Sequence, residues 1–170
     1  MAVSLGPDVI AWARRANYSL TQHGDGETLE LWSDPGGEQR FYVRQQEGGW
    51  WALSSTDRGS AERLELTGSS LMVVEKYLLA LLGDAIRERE GLRDLWIPNG
   101  IDSLPNGYSV DDPDVDGFRR LKERSSVVAN ARGRLIGKST LVKTAHLLAL
   151  PVRTIQDSYV AEDGAFLGAR

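Results

Sequence analysis

Five short stretches between Tyr18 and Gly68 alternate apolar and polar residues: YSLTQH, TLELWS, RFYVRQQ, GWWALSS and RLELTG. Successive side chains of a strand point to opposite faces, so this two-residue period specifies strands and argues against helix here. HGDG, DPGGE and EGG separate the first four, and such glycine-rich pieces suit hairpin turns. The expected unit is an antiparallel meander. Leu29, Leu31, Phe41, Val43, Trp51, Leu53, Leu64 and Leu66 fall on alternate positions, which gives the sheet one continuous apolar face. That face requires a cover.

The segment SSLMVVEKYLLALLGDAIRERE supplies it, with Leu71, Val74, Leu78, Leu81, Leu82, Ala85 and Ile86 at three- and four-residue steps. A helix of about 20 residues is ~30 Å long and crosses several strands. Ser69 or Ser70 is a candidate cap, and Arg87 and Arg89 suit the negative end of its dipole. PDVIAWARRA predicts a shorter amphipathic helix with Pro7 in its first turn. The opposite face of the meander carries Glu30, Trp32, Arg40, Tyr42, Arg44 and Trp50. It is either a partner surface or the place where the first helix or the second half of the chain packs. Because large aromatics are usually mostly buried, packing is the favoured expectation.

In the second half, LWIPNGIDSLPNG is a connecting loop, GYSVDD, GFRRLKE and SSVVANA are strands, and RLIG is expected to pair with the last across a turn at Arg132-Gly133. STLVKTAHLLAL then predicts a helix capped by Ser139, and PVRTIQDSYVA another with Pro151 in its first turn. The expected class is α+β: an antiparallel β-meander packed against a long amphipathic helix, with a second strand and helix-pair half extending the same core. Residues 1–170 are expected to form a single domain with loose halves at 1–91 and 92–170.

With 24 acidic and 20 basic side chains the net charge is −4, which disfavours nucleic acid and anionic membranes and favours a basic-faced partner. LMVVEKYLLALLG is short and is broken by Glu75 and Lys76, so neither a membrane span nor a leader peptide is expected. There is no cysteine, hence no disulfide, thiolate zinc site or cysteine nucleophile, in keeping with a cytoplasmic protein.

Three motifs invite a chemical reading. DPDVDGFRRLKE, residues 112–123, has the lettering of a calcium loop, with Asp112, Asp114, Asp116 and Glu123 at ligand positions and Gly117 at the turn. Its flanks read as strands rather than helices, which makes an acidic hairpin tip the better expectation and a calcium- or ligand-binding regulatory module the alternative function. GRLIGKST imitates a phosphate loop, but three residues rather than four separate Gly133 from Gly137. His23 and His146 are the only imidazoles and have no partner histidine at helical spacing. Nothing here argues for an enzyme, a metal or a cofactor.

The run from Gln39 to Arg89, followed by LWIP, NGYSVDD and the late helix pair, resembles the immunity protein 61 family, most of residues 7–167 being covered. The resemblance implies an α+β protein of the cytoplasm without enzymatic activity, which neutralises a cognate polymorphic toxin in a one-to-one complex. Through the family's necrotizing-toxin immunity factors it also implies a target like an NAD-hydrolysing toxin whose substrate pocket is plugged. Contact residues do not follow from the resemblance. A nucleotide-cleaving site receives phosphates, so acidic groups or a narrow loop with hydroxyls could fill it. Two segments qualify as toxin-binding candidates: Thr67, Gly68, Ser69 and Ser70 at the strand-to-helix corner, and Asp111, Asp112, Asp114 and Asp116 in the acidic loop.

Overall fold

The computed structural model describes residues 2–168. Helix α1 (Pro7–Arg15) precedes the meander β1 (Tyr18–Gln22), β2 (Thr28–Ser33), β3 (Gln39–Gln45), β4 (Trp51–Asp57) and β5 (Arg63–Gly68), which leads into α2 (Leu71–Glu90). After a long connection come β6 (Tyr108–Val110), β7 (Phe118–Glu123), β8 (Ser126–Arg132), α3 (Ile136–Leu148) and α4 (Val152–Val160). All eight strands join one sheet in the order β1-β2-β3-β4-β5-β8-β7-β6, each neighbouring pair antiparallel. The α+β architecture expected from the sequence is the one observed.

The last strand of each half forms the seam. Thr67 lies opposite Asn130 and Gly68 opposite Ala129, and the Ser69 amide continues the ladder by donating to the Val128 carbonyl at 2.9 Å. A side chain at Gly68 would bring a Cβ within 2.8 Å of Val73 Cβ, so the smallest residue stands where α2 presses on the seam. The apolar row is sealed beneath the helices: Leu31, Val43, Leu53, Leu66, Leu121 and Ala129 have no exposed surface.

Several expectations need correction. A register shift after Leu53 sets Leu64 opposite Ser54 while Leu66 stays opposite Leu53, so Leu64 leaves the inner row and is only half-buried. RLIG is not a strand. Gly133, at φ 109°, turns the chain, and Gly137 packs so closely on the end of β8 that a Cβ there would meet the Arg132 carbonyl at 2.8 Å. α3 therefore begins at Ile136, and Ser139, expected as its cap, lies inside it, its amide donating to Leu135. Ser70 does precede α2 in an extended conformation, but its hydroxyl makes no capping bond. Pro151 stands just before α4 rather than within its first turn.

The second half does not pack on the outer face of the meander, and neither does α1. β8 pairs with the free edge of β5, so the second half widens the sheet instead of adding a layer, and its helices join α1 and α2 over the apolar row. Backbone donors and acceptors along an open strand edge are satisfied by such an addition, which a layered arrangement would leave unpaired.

α2 binds the ends of every other helix. Glu75 Oε1 accepts the Gly6 amide at 2.6 Å ahead of α1, while Arg89 Nη1 donates to the Arg15 carbonyl at its far end at 2.8 Å. Lys76 Nζ donates to the carbonyls of Leu148 and Leu150, at 3.0 and 2.6 Å, where α3 ends. Arg87, 1% exposed, donates to the carbonyls of Tyr159 (3.0 Å), Ala161 (2.7 Å) and Glu162 (3.2 Å) where α4 ends, and to Arg93 as well. The last carbonyls of a helix have no partner within it and carry its negative dipole end, so a buried cation answers both needs. Arg87 was expected to serve its own helix; it serves α4.

Candidate functional site

At the first candidate segment, Thr67 Oγ1 accepts a bond from Asn130 Nδ2 at 3.3 Å and Gly68 is buried in the seam. Ser69 is exposed and Ser70 half-buried. Of the segment, Ser69 is thus the residue exposed to a partner, with Met72, 53% exposed, in the first turn of α2. Beside it a broad hollow of about 940 Å³ is bordered by Glu27, Gln45, Glu47, Trp50, Thr67 and Asn130.

The second segment is the turn joining β6 to β7. Asp114 Oδ1 accepts the amides of Asp116 (3.0 Å) and Phe118 (2.9 Å), while the Asp114 amide donates to the Phe118 carbonyl at 2.8 Å. Asp111 is paired with Lys122 at 2.8 Å, and Asp112 projects fully into solvent, 3.9 Å from Arg119 Nη1. Gly117 takes φ 81°, a left-handed conformation that suits glycine. The turn lies between strands, so the helix frame of a calcium loop is missing, and one of its three central carboxylates is already engaged by the turn's own amides. Among the described residues no three acidic or histidine groups gather as a metal site would need.

The two segments are not brought together. Ser69 sits beside Val128, whereas the carbonyl of Asp116 accepts Arg132 Nε at 3.0 Å, four residues further along β8. That is a separation of ~13 Å along an extended strand, too far for one narrow plug.

A further surface at the acidic end was not foreseen. The Gly133 amide donates to the Gly117 carbonyl at 3.0 Å, fastening the β8–α3 turn to the β6–β7 turn. Val115 is therefore at the same end of the molecule as Leu135 (79% exposed) and Ile136 (69% exposed). Leu135 and Ile136 also form one wall of a groove of about 950 Å³ between α2 and the first turns of α3, floored by β3, β4 and β5. Reading RLIG as a strand hid this pair, since a strand would have given alternate residues to the core.

Glu65, Asp84, Glu88 and Asp94 border the groove against Arg63 and Lys143. Arg63 is already paired with Glu65 at 2.8 Å. Loss of water around the base of Asp84 pushes its carboxyl up to about 6, against the pull of Lys143. Its neighbour Tyr77, buried in the same wall, is pushed up to about 12 by burial.

The outer face of the sheet is uncovered but internally neutralised. Glu30 receives His23 Nε2 at 2.7 Å and Arg40 Nη1 at 2.8 Å, Arg44 pairs with Glu62 and lies 4.8 Å from the centre of the Tyr42 ring, and Trp32 Nε1 donates to Thr21 at 3.0 Å. Those lateral contacts, rather than a covering layer, account for the half-burial of its aromatics. His146 stands 3.4 Å from Ser103 Oγ, a hydroxyl already bound to the Gly100 carbonyl at 2.6 Å.

Compared with known proteins, the chain matches the family model of immunity protein 61 over residues 12–166. It is similar to the immunity factor for TNT of Mycobacterium tuberculosis and to its homolog in Mycobacterium bovis, each at 29% identity over 170 residues, 96% of this chain and 92% of theirs. Its fold is similar to the solved structure of Rv3902c from M. tuberculosis, with a TM-score of 0.86 and 29% identity over 99% of this chain and 96% of that one.

Proposed function

This chain belongs to the immunity protein 61 family, and from that premise we propose that it acts as an antitoxin, binding one copy of a cognate toxin and occluding its active site. The observation that carries the reading is the extent of the match: residues 12–166 include every strand of the sheet and three helices entire, so the likeness is to the whole immunity protein and not to a shared fragment. Its relatives' role as immunity factors for TNT supports a toxin target, and we take that target to be an NAD-hydrolysing enzyme. The protein itself is taken to be non-catalytic, to work in the cytoplasm as one domain, and to need neither cofactor, nucleic acid nor membrane.

Of the two candidate segments, the side chains exposed to a partner are Ser69 at the corner and Asp112 with Asp116 in the acidic turn, and the acidic pair is the one whose charge suits a basic cleft. The excess of acidic groups over basic ones supports such a partner, since complementary charge speeds encounter and fixes orientation. The test is co-expression with the toxin domain of the same cell. Cells should survive and their NAD be preserved when this chain is present, and the two proteins should co-elute at equal molar amounts. Death of the cells despite full expression of a folded chain counts against the proposal.

A further inference from the structure

We infer that the groove between α2 and α3, with Leu135 and Ile136 on its rim, is where the toxin docks, receiving a protruding toxin segment that carries both apolar and basic side chains. The inference rests on the antitoxin reading and adds to it the surface and the chemistry of the contact. Adjacent large aliphatics left in water at one end of a cleft are unusual on a protein that works alone, and an apolar anchor flanked by polar groups is the usual make-up of an interface centre. Leu135 and Ile136 cannot turn inward, because Gly137 already packs against the carbonyl end of β8 and fixes the first turn of α3.

Charge selects the occupant. Arg63 and Glu65 pair with each other, which leaves Asp84, Glu88 and Asp94 on the groove against Lys143. A second acidic stretch, Asp112 to Asp116, lies next to Leu135 across the fastened turns. A segment with lysine or arginine beside an aliphatic or aromatic anchor satisfies both features; an acidic segment would meet like charge. With a volume of about 950 Å³, the groove has the capacity for several side chains rather than one.

The hollow beside Ser69 is the competing surface, and variants separate the two. Ile136→Asp and Glu88→Lys alter the groove, and Ser69→Arg alters the corner; all three positions are exposed, so the melting temperature of each variant should stay at the wild-type value. The probe is the catalytic domain of the toxin from which the wild-type chain protects cells, titrated by calorimetry. Ile136→Asp is expected to weaken binding at least tenfold, Glu88→Lys to slow association and flatten its salt dependence, and Ser69→Arg to bind as wild type. Folded groove variants that bind with unchanged affinity overturn the inference while leaving the antitoxin reading intact. A wild-type chain that neither binds nor protects overturns both.

Discussion

The ring of Tyr159 on α4 lies against the backbone of α2 at Gly83, so closely that a methyl group on Gly83 would stand 2.4 Å from two ring carbons. Tyr159 is 1% exposed, and the cavity that adjoins it is small, about 50 Å³. Gly83→Ala gains roughly 1 kcal/mol of helix propensity, but forcing apart a filled core costs about 1–3 kcal/mol and more where backbone must move. The clash should win. Thermal or urea unfolding is expected to reveal a net loss of stability, and a variant more stable than wild type would refute the packing argument.

Arg87 and Arg89 stand two residues apart and should respond very differently. Arg87→Met leaves buried carbonyls at the end of α4 without donors, a loss of about 3 kcal/mol. Arg89 is exposed and makes one bond, to Arg15, so Arg89→Ala should cost less than ~1 kcal/mol. Chemical denaturation of the two variants under one buffer condition measures the contrast.

Asp84 gives the fold a pH dependence of defined sign. Its carboxyl is raised from 3.8 to about 6 by burial, so between those values the folded chain holds a proton that the unfolded chain has released. Stability from this group is full below pH 3.8 and is lost as pH rises through about 6. Asp84→Asn removes that loss. The variant should melt above wild type at pH 7.5, and its advantage should vanish near pH 3.5. The tip of Asp84 reaches solvent in the groove, so screening should hold the gain to roughly 1 kcal/mol or less.

The acidic turn should separate by residue as well. Asp114→Ala deletes the acceptor of two backbone amides and is expected to cost about 1 kcal/mol. Asp112→Ala removes a fully exposed side chain with one long 3.9 Å contact to Arg119 and should change stability by less than ~0.5 kcal/mol. Millimolar calcium should leave the melting temperature of wild type and both variants unchanged; a rise abolished by Asp114→Ala would restore the calcium reading.

The meander was legible because each of its hairpins is local: alternation marks Leu29, Leu31, Phe41 and Val43, and glycines mark the turns between. Gly68 opposite Ala129 was not legible, because the pairing joins residues far apart in the chain and either half could have closed on itself or stacked. Periodicity gave α2 the buried Val74, Leu78, Leu82 and Ile86, but Leu71, Leu81 and Ala85 are only half-buried, and Val73, Tyr77, Leu79 and Ala80 are buried as well. Nor did it give the destinations of Glu75, Lys76 and Arg87, which depend on where other helices end. The acidic turn was read correctly as a hairpin tip. Its neighbours Leu135 and Ile136 were hidden, since three residues of mixed polarity between two glycines look alike in a strand and at a helix start.

Arg87 draws its carbonyl partners from Arg93 and from residues 158 to 162. A ribosome making this chain must therefore deliver nearly all of it before the guanidinium in the middle of the molecule finds a home. Until then the first half has its five strands but lacks both β8 beside β5 and the helix end that Arg87 serves. A chain cut short before Tyr159 leaves Arg87 without its α4 partners, and it is expected to protect a cell against the toxin less well than the full chain, which co-expression of the two lengths would measure.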